Sequence, residues 1–127
     1  MKSIISVAIL TLFVVTPAFA ELPSASDTVI SQALASGQPT ILDLGARTCI
    51  PCKKMAPILE ALATEYQDKA NVLFVDVWED KATAKKFRVQ MIPTQIFFDA
   101  KGKVVKRHVG GMERADILKE LKAAGLK

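Results

Sequence analysis

Two residues of one type, at one spacing, carry the chemistry this chain can do. Cys49 and Cys52 are its only cysteines, separated by Ile50 and Pro51. They follow the apolar run Ile41-Leu42-Asp43-Leu44 and precede a helical pattern from Lys53 to Tyr66. A strand, a short turn and a C-x-x-C opening a helix put the first sulfur at a helix N-terminus. The unpaired N–H groups and the dipole there favour a thiolate. A cysteine so placed can have its pKa lowered from about 8.5 to roughly 3.5–7.5, which makes it a nucleophile at neutral pH. Three readings of the pair compete. A structural disulfide would close a loop of a few residues and constrain little of the unfolded chain. Half of a metal site would need further ligands, and only His108 offers an imidazole. A redox-active pair agrees best with the strand and helix on either side.

A second candidate lies just upstream. Asp43 is a carboxylate within an apolar strand, where burial is costly unless the acid is neutral or partnered, and where its pKa rises. One reading places it near the strand end in solvent. The other makes it a proton acceptor or donor beneath the cysteines. His108, the only histidine, reads as a surface residue on a hairpin strand, and Met55 reads as core.

The elements that must position these groups follow from the pattern. Lys2, the apolar run Ile4–Val15 and Ala18-Phe19-Ala20 predict a secretory signal peptide over residues 1–20, cleaved after Ala20. No cysteine stands at that junction, so no lipid anchor is expected. Residues 21–127 then form one domain, exported to an oxidising compartment, where two close cysteines suit chemistry better than scaffolding.

Ser26 or Asp27 caps a helix reaching Ser36, with Gly37 as its stop. Thr40–Gly45 is a strand buried on both faces. Gly45-Ala46-Arg47-Thr48 enters the site, and a helix runs from Cys49 to Tyr66, with Pro57 expected to kink it. Asn71–Val77 is a second strand, completing a right-handed βαβ unit. Trp78 is expected to pack at the sheet edge. Lys81–Arg88 is a short helix. Gln95–Asp99 and Lys103–Val109 form a hairpin around Ala100-Lys101-Gly102, and Glu113–Ala124 is a closing helix. The fold class is α/β, a central mixed four-stranded sheet with helices on both faces. The formal net charge is +4 with scattered lysines. There is no basic stripe interleaved with aromatics, which argues against a nucleic-acid partner.

Ile41-Leu42-Asp43, Cys49-Ile50-Pro51-Cys52, Pro57, Ile92-Pro93-Thr94 and Val109-Gly110-Gly111, in this order, resemble the thioredoxin family over about Ser26 to Leu121. The resemblance implies the thioredoxin fold, no cofactor, and a protein-disulfide reductase working through a reversible Cys49–Cys52 disulfide. Cys49 matches the attacking thiolate, Cys52 the resolving thiol and Asp43 the buried acid that relays a proton to Cys52. Pro93 matches a cis-proline facing the disulfide, and the backbone of Ile92 would bind an extended substrate segment. Ile50 and Pro51 complete the substrate-binding set, and Pro51 matches the proline of reductant members. The implied partners are disulfide-containing proteins and a membrane electron donor, and the implied setting is a monomer in the periplasm. Thiol oxidase or isomerase activity, and a metal-binding or redox-silent interaction module, are the alternatives.

The sequence departs from the family pattern at Gly45 and Thr48, where tryptophans are usual, and at Ile50, where glycine is usual. It also departs at Phe74, which stands where a lysine usually neighbours the acid. The family's N-terminal strand is short or missing, which leaves Asn71–Val77 as a possible edge.

Overall fold

The computed structural model describes residues 21–127 and Val14; the predicted signal peptide otherwise lies outside the described residues. The elements in order are α1 (Asp27–Leu34), β1 (Thr40–Gly45), α2 (Ile50–Glu65), β2 (Asn71–Asp76), α3 (Lys81–Lys86), β3 (Thr94–Phe98), β4 (Val104–Val109) and α4 (Arg114–Ala123). The strands form one sheet in the order β2-β1-β3-β4. β1 runs parallel to β2 and antiparallel to β3, and β4 is antiparallel to β3. The expected mixed four-stranded sheet is present.

Alternation along the central strands divides the core into two layers. Ile41, Val72 and Phe97 face Met55, Leu59 and Leu62 of α2 and Ile117 and Leu121 of α4. Leu42, Leu44, Val75, Ile96 and Phe98 face the other way, with Ile30 of α1 and the half-buried Ala84 of α3. Helices therefore cover both faces, as the pattern predicts. β1 is fully buried along its length, and β4 is an exposed edge.

Capping chemistry sets the start of α1 and both ends of α3. The Ser26 side chain accepts from Val29 N at 3.3 Å and starts α1. Asp80 accepts from Thr83 N at 2.9 Å and from the Thr83 hydroxyl at 2.6 Å, starting α3. α2 continues through Pro57 to Glu65. α3 stops at Lys86, two residues short of the predicted Arg88, because Arg88 itself turns left-handed at φ 52°. Val89 N then bonds Ala84 O at 2.9 Å and Arg88 N bonds Lys85 O at 3.1 Å, the paired closing bonds of a Schellman turn.

One further expectation needs correction. Trp78 does not pack at the sheet edge: it is 57% exposed in the turn after β2. β2 is an edge strand, but it is partly covered. Ser24 bridges to Phe74, Ala25 N donates to Phe74 O at 2.7 Å, and the Ser24 hydroxyl accepts from Asp76 N at 2.9 Å. The segment before α1 thus takes up edge hydrogen bonds that a full strand would otherwise satisfy.

Candidate functional site

Cys49 is the N-cap residue of α2, and its carbonyl accepts the first helical bond, from Lys53 N at 2.9 Å. Ile50 and Pro51 fill the first turn, where the missing proline N–H costs no helical bond. Cys49 and Cys52 are joined by a disulfide, with their Cα atoms 5.2 Å apart. Cys49 is half-buried and Cys52 is 5% exposed, so the two sulfurs meet solvent unequally. The outer one stands at the positive end of a 16-residue helix, where an anionic sulfur is favoured once the bond is reduced. Among the described residues no group of three or more His, Cys, Asp or Glu side chains is arranged to hold a metal ion.

The sheet brings the acid under this pair. Asp43 lies in register with Phe74 on β2 and Gln95 on β3. It is 1% exposed, so it is not the solvated strand-end residue of the first reading. Gln95 Nε2 donates to Asp43 Oδ1 at 2.9 Å and to Met55 Sδ at 3.3 Å. Asp43 Oδ2 has no hydrogen-bond partner among the described residues. Burial raises the Asp43 pKa from 3.8 to about 6, and the Gln95 bond opposes that rise. Asp43, Cys52 and Phe74 line one cleft of about 220 Å³ whose mouth carries Glu21, Arg47, Lys53 and Glu60.

Phe74 puts a ring, not a charge, beside the acid. The Arg47 guanidinium is stacked on that ring, 4.7 Å from its centroid. Arg47 is also pinned by Glu21 Oε1 at 2.8 Å and by Leu22 O at 2.7 Å. The segment that covers the β2 edge therefore also holds the loop entering the disulfide. Asp76 holds that loop from below. Its carboxylate accepts from Arg47 N at 3.1 Å, Trp78 N at 2.9 Å and Glu79 N at 3.2 Å.

The other predicted site residues gather at the same end of the sheet. Leu44 pairs with Thr94, and Thr94 pairs with Val109, so the starts of β3 and the ends of β1 and β4 are neighbours. Pro93 immediately precedes β3, follows a cis bond from Ile92, and is buried. Gly110 N donates to Pro93 O at 2.8 Å, and the Thr94 hydroxyl donates to Met91 O at 2.6 Å. Ile92 is half-buried against the α1 and α3 layer, while Ile50 is 70% exposed and Met91 67% exposed. His108 stands apart on edge strand β4, its Nε2 3.2 Å from Gly111 O.

Sequence reasoning missed Gln95, Asp76 and the role of Arg47. Each acts on a partner 25 to 52 positions away, so no local spacing announces it. The one local signal was the polarity of Asp76 within the otherwise apolar run Val72–Val77.

Comparison with known proteins agrees with this arrangement. The sequence model of the family described as thioredoxin matches residues 22–123. Thioredoxin of Mycolicibacterium smegmatis is 42% identical over 100 residues, covering 77% of this chain and 88% of that protein. Thioredoxin of Mycobacterium tuberculosis (strain ATCC 25618 / H37Rv) is 43% identical over 88 residues, covering 69% of this chain and 75% of that protein. Among solved structures, a mutant thioredoxin from Halobacterium salinarum NRC-1 superposes with a TM-score of 0.71 at 27% identity, covering 81% of this chain and 88% of that one.

Proposed function

Because this chain belongs to the thioredoxin family and is a thiol–disulfide oxidoreductase of that type, we propose that it reduces disulfides in exported proteins. The observation that carries the proposal is the disulfide at the N-terminus of α2 with a buried, half-satisfied acid in the cleft beside its inner sulfur. In the reduced enzyme the Cys49 thiolate attacks a substrate disulfide. A Cys49–substrate bond forms and the first substrate sulfur leaves as a thiolate. Cys52 gives its proton to Asp43 and attacks Cys49. The Cys49–Cys52 bond forms, the second substrate sulfur leaves, and two electrons have passed to the substrate. A carboxyl group with a pKa near neutrality suits this step, because it can both take and return a proton at working pH.

In this reading the Ile92 backbone beside Pro93 pairs with an extended substrate segment. Ile50 and Pro51 form its apolar contact, supported by their exposure at the outer end of α2. Residues 1–20 are a signal peptide removed after Ala20, the domain works as a periplasmic monomer, and a membrane electron donor reduces the disulfide again. The n-region lysine, the apolar run and the A-x-A ending support export. Pro51 supports the reducing direction.

The test is capture. A Cys52→Ser variant expressed with its leader should accumulate mixed disulfides through Cys49 with exported proteins, and the wild type should reduce insulin. No trapped partner together with no insulin reduction would reject the proposal. A measured potential above roughly −180 mV would move the function to oxidation or isomerisation, since reductants of this type lie near −270 mV.

A further inference from the structure

Gln95 is 0% exposed, and its amide is the only group bonded to the buried acid among the described residues. Both of its amide hydrogens have acceptors, Asp43 Oδ1 at 2.9 Å and Met55 Sδ at 3.3 Å, while its Oε1 has none. Turning the amide over would set Oε1 against a carboxylate oxygen and a thioether sulfur, both acceptors, and would bury an NH2 group without a partner. With Asp43 ionised, the amide therefore has one acceptable orientation. It makes Oδ1 a standing acceptor and leaves Oδ2 as the oxygen with an open lone pair.

We propose that Gln95 is a positioning residue that decides which oxygen of Asp43 carries the proton. Oδ1 is kept as an acceptor from the amide in both protonation states, and Oδ2 is the atom that takes the proton from Cys52 and gives it up again. This rests on reading Asp43 as the proton acceptor for Cys52. The β1–β3 register fixes the arrangement by setting Gln95 directly opposite Asp43.

The groups around the acid leave this choice to Gln95. β2 contributes only the Phe74 ring, and α2 contributes Met55 and the Cys52 thiol. Glu21, Arg47, Lys53 and Glu60 line the cleft as two anions and two cations. None of them is hydrogen-bonded or ion-paired to Asp43. His108 stands in register with Gln95 on the side away from Asp43, and its ring is hydrogen-bonded to Gly111.

The experiment is a pH titration of the Asp43 carboxyl carbon by 13C NMR in the reduced full chain, comparing wild type with Gln95→Met. Methionine keeps nearly the same volume and removes the donor. The lost bond favours the charged form, so the midpoint should rise by about one pH unit. An unmoved or lowered midpoint overturns the proposal. A second measurement needs no variant: both Gln95 side-chain amide protons should stay protected from exchange on either side of the Asp43 midpoint. Loss of one as Asp43 gains its proton would also overturn it, because Oδ1 would then have ceased to accept. Neither readout depends on turnover. A Gln95→Met protein that titrates as expected but resolves mixed disulfides with an unchanged pH profile would reject the proton-relay reading and leave the positioning of the proton standing.

Discussion

The two faces of the same central strands are built on different rules. Toward α1 and α3, β1 and β3 present Leu42, Leu44, Ile96 and Phe98, all buried and all apolar. Toward α2 and α4 they present Ile41 and Phe97, but also Asp43 and Gln95, which are equally buried and polar. The first face contributes stability through burial and packing, and its two buried threonines, Thr40 and Thr94, give their hydroxyl protons to Gln38 O and Met91 O. The other gives up stability to keep a titrating group beside Cys52, with two hydrogen bonds from Gln95 in compensation and two polar atoms unpartnered among the described residues. Local stability and chemistry are thus separated by the pleat of a single strand, one residue apart.

The largest effect should come from the apolar face. Leu42 is 0% exposed, flanked in register by Leu73 and Ile96. Leu42→Ala should cost about 2–5 kcal/mol in urea unfolding. The cost should be the same at pH 4 and pH 8, because none of the three residues titrates. A cost that changes with pH would show that packing on this face is coupled to Asp43, and the separation of the faces would fail.

The opposite sign is expected one residue away. The folded-state pKa of Asp43 is raised from 3.8 to about 6, so the folded protein binds the proton more tightly than the unfolded chain. The Asp43 contribution to stability is then greatest below pH 4, falls as pH rises between the two values, and stays lost above pH 6. Asp43→Asn removes the charge and keeps an acceptor for Gln95. It should stabilise the oxidised protein by roughly 3 kcal/mol at pH 8 and by little at pH 3.5. The same variant should slow release of substrate from the mixed disulfide, with the pH dependence near 6 gone. Equal stabilisation at both pH values would mean that the gain comes from packing and not from the buried charge.

What the sequence made legible divides along the same line. The βαβ frame and the hairpin follow from the pattern, since continuous apolar runs mark strands buried on both faces, as β1 and β3 are. Asp43 was visible because an acid interrupts an apolar run. Gln95 was not, because it opens its run as an ordinary strand-start residue and acquires meaning only from a partner 52 positions away. Helix ends show the same contrast. Gly125 at φ 114° closes α4, with Leu126 N on Leu121 O at 2.9 Å, directly after the predicted end at Ala124. Arg88 closes α3 by the same pair of bonds without glycine, so the predicted helix counted Arg88 in and ran two residues past Lys86. The cover on β2 was missed for a related reason: it uses one backbone bridge and a serine hydroxyl, too little to leave a strand pattern.

The smallest effect should appear where the polar face is tightest. A Cβ at Gly45 would stand 3.0 Å from Cys52 Sγ, 3.3 Å from its Cβ and 3.5 Å from Phe74 Cε2. The inner sulfur occupies the space that a side chain would claim. Gly45→Ala gains about 0.4–1 kcal/mol by restricting the unfolded chain, which offsets much of the crowding. The two redox forms should nevertheless respond differently. In the reduced form the Cys52 side chain can rotate away by a few tenths of an ångström, whereas in the oxidised form Sγ is tied to Cys49. Gly45→Ala should therefore lower the thermal midpoint of the oxidised protein more than that of the reduced one. The potential should move toward oxidising values by on the order of 10 mV. Equal shifts in the two melts would place the crowding on Phe74 instead, and the inner sulfur would then have more room than the cleft wall suggests.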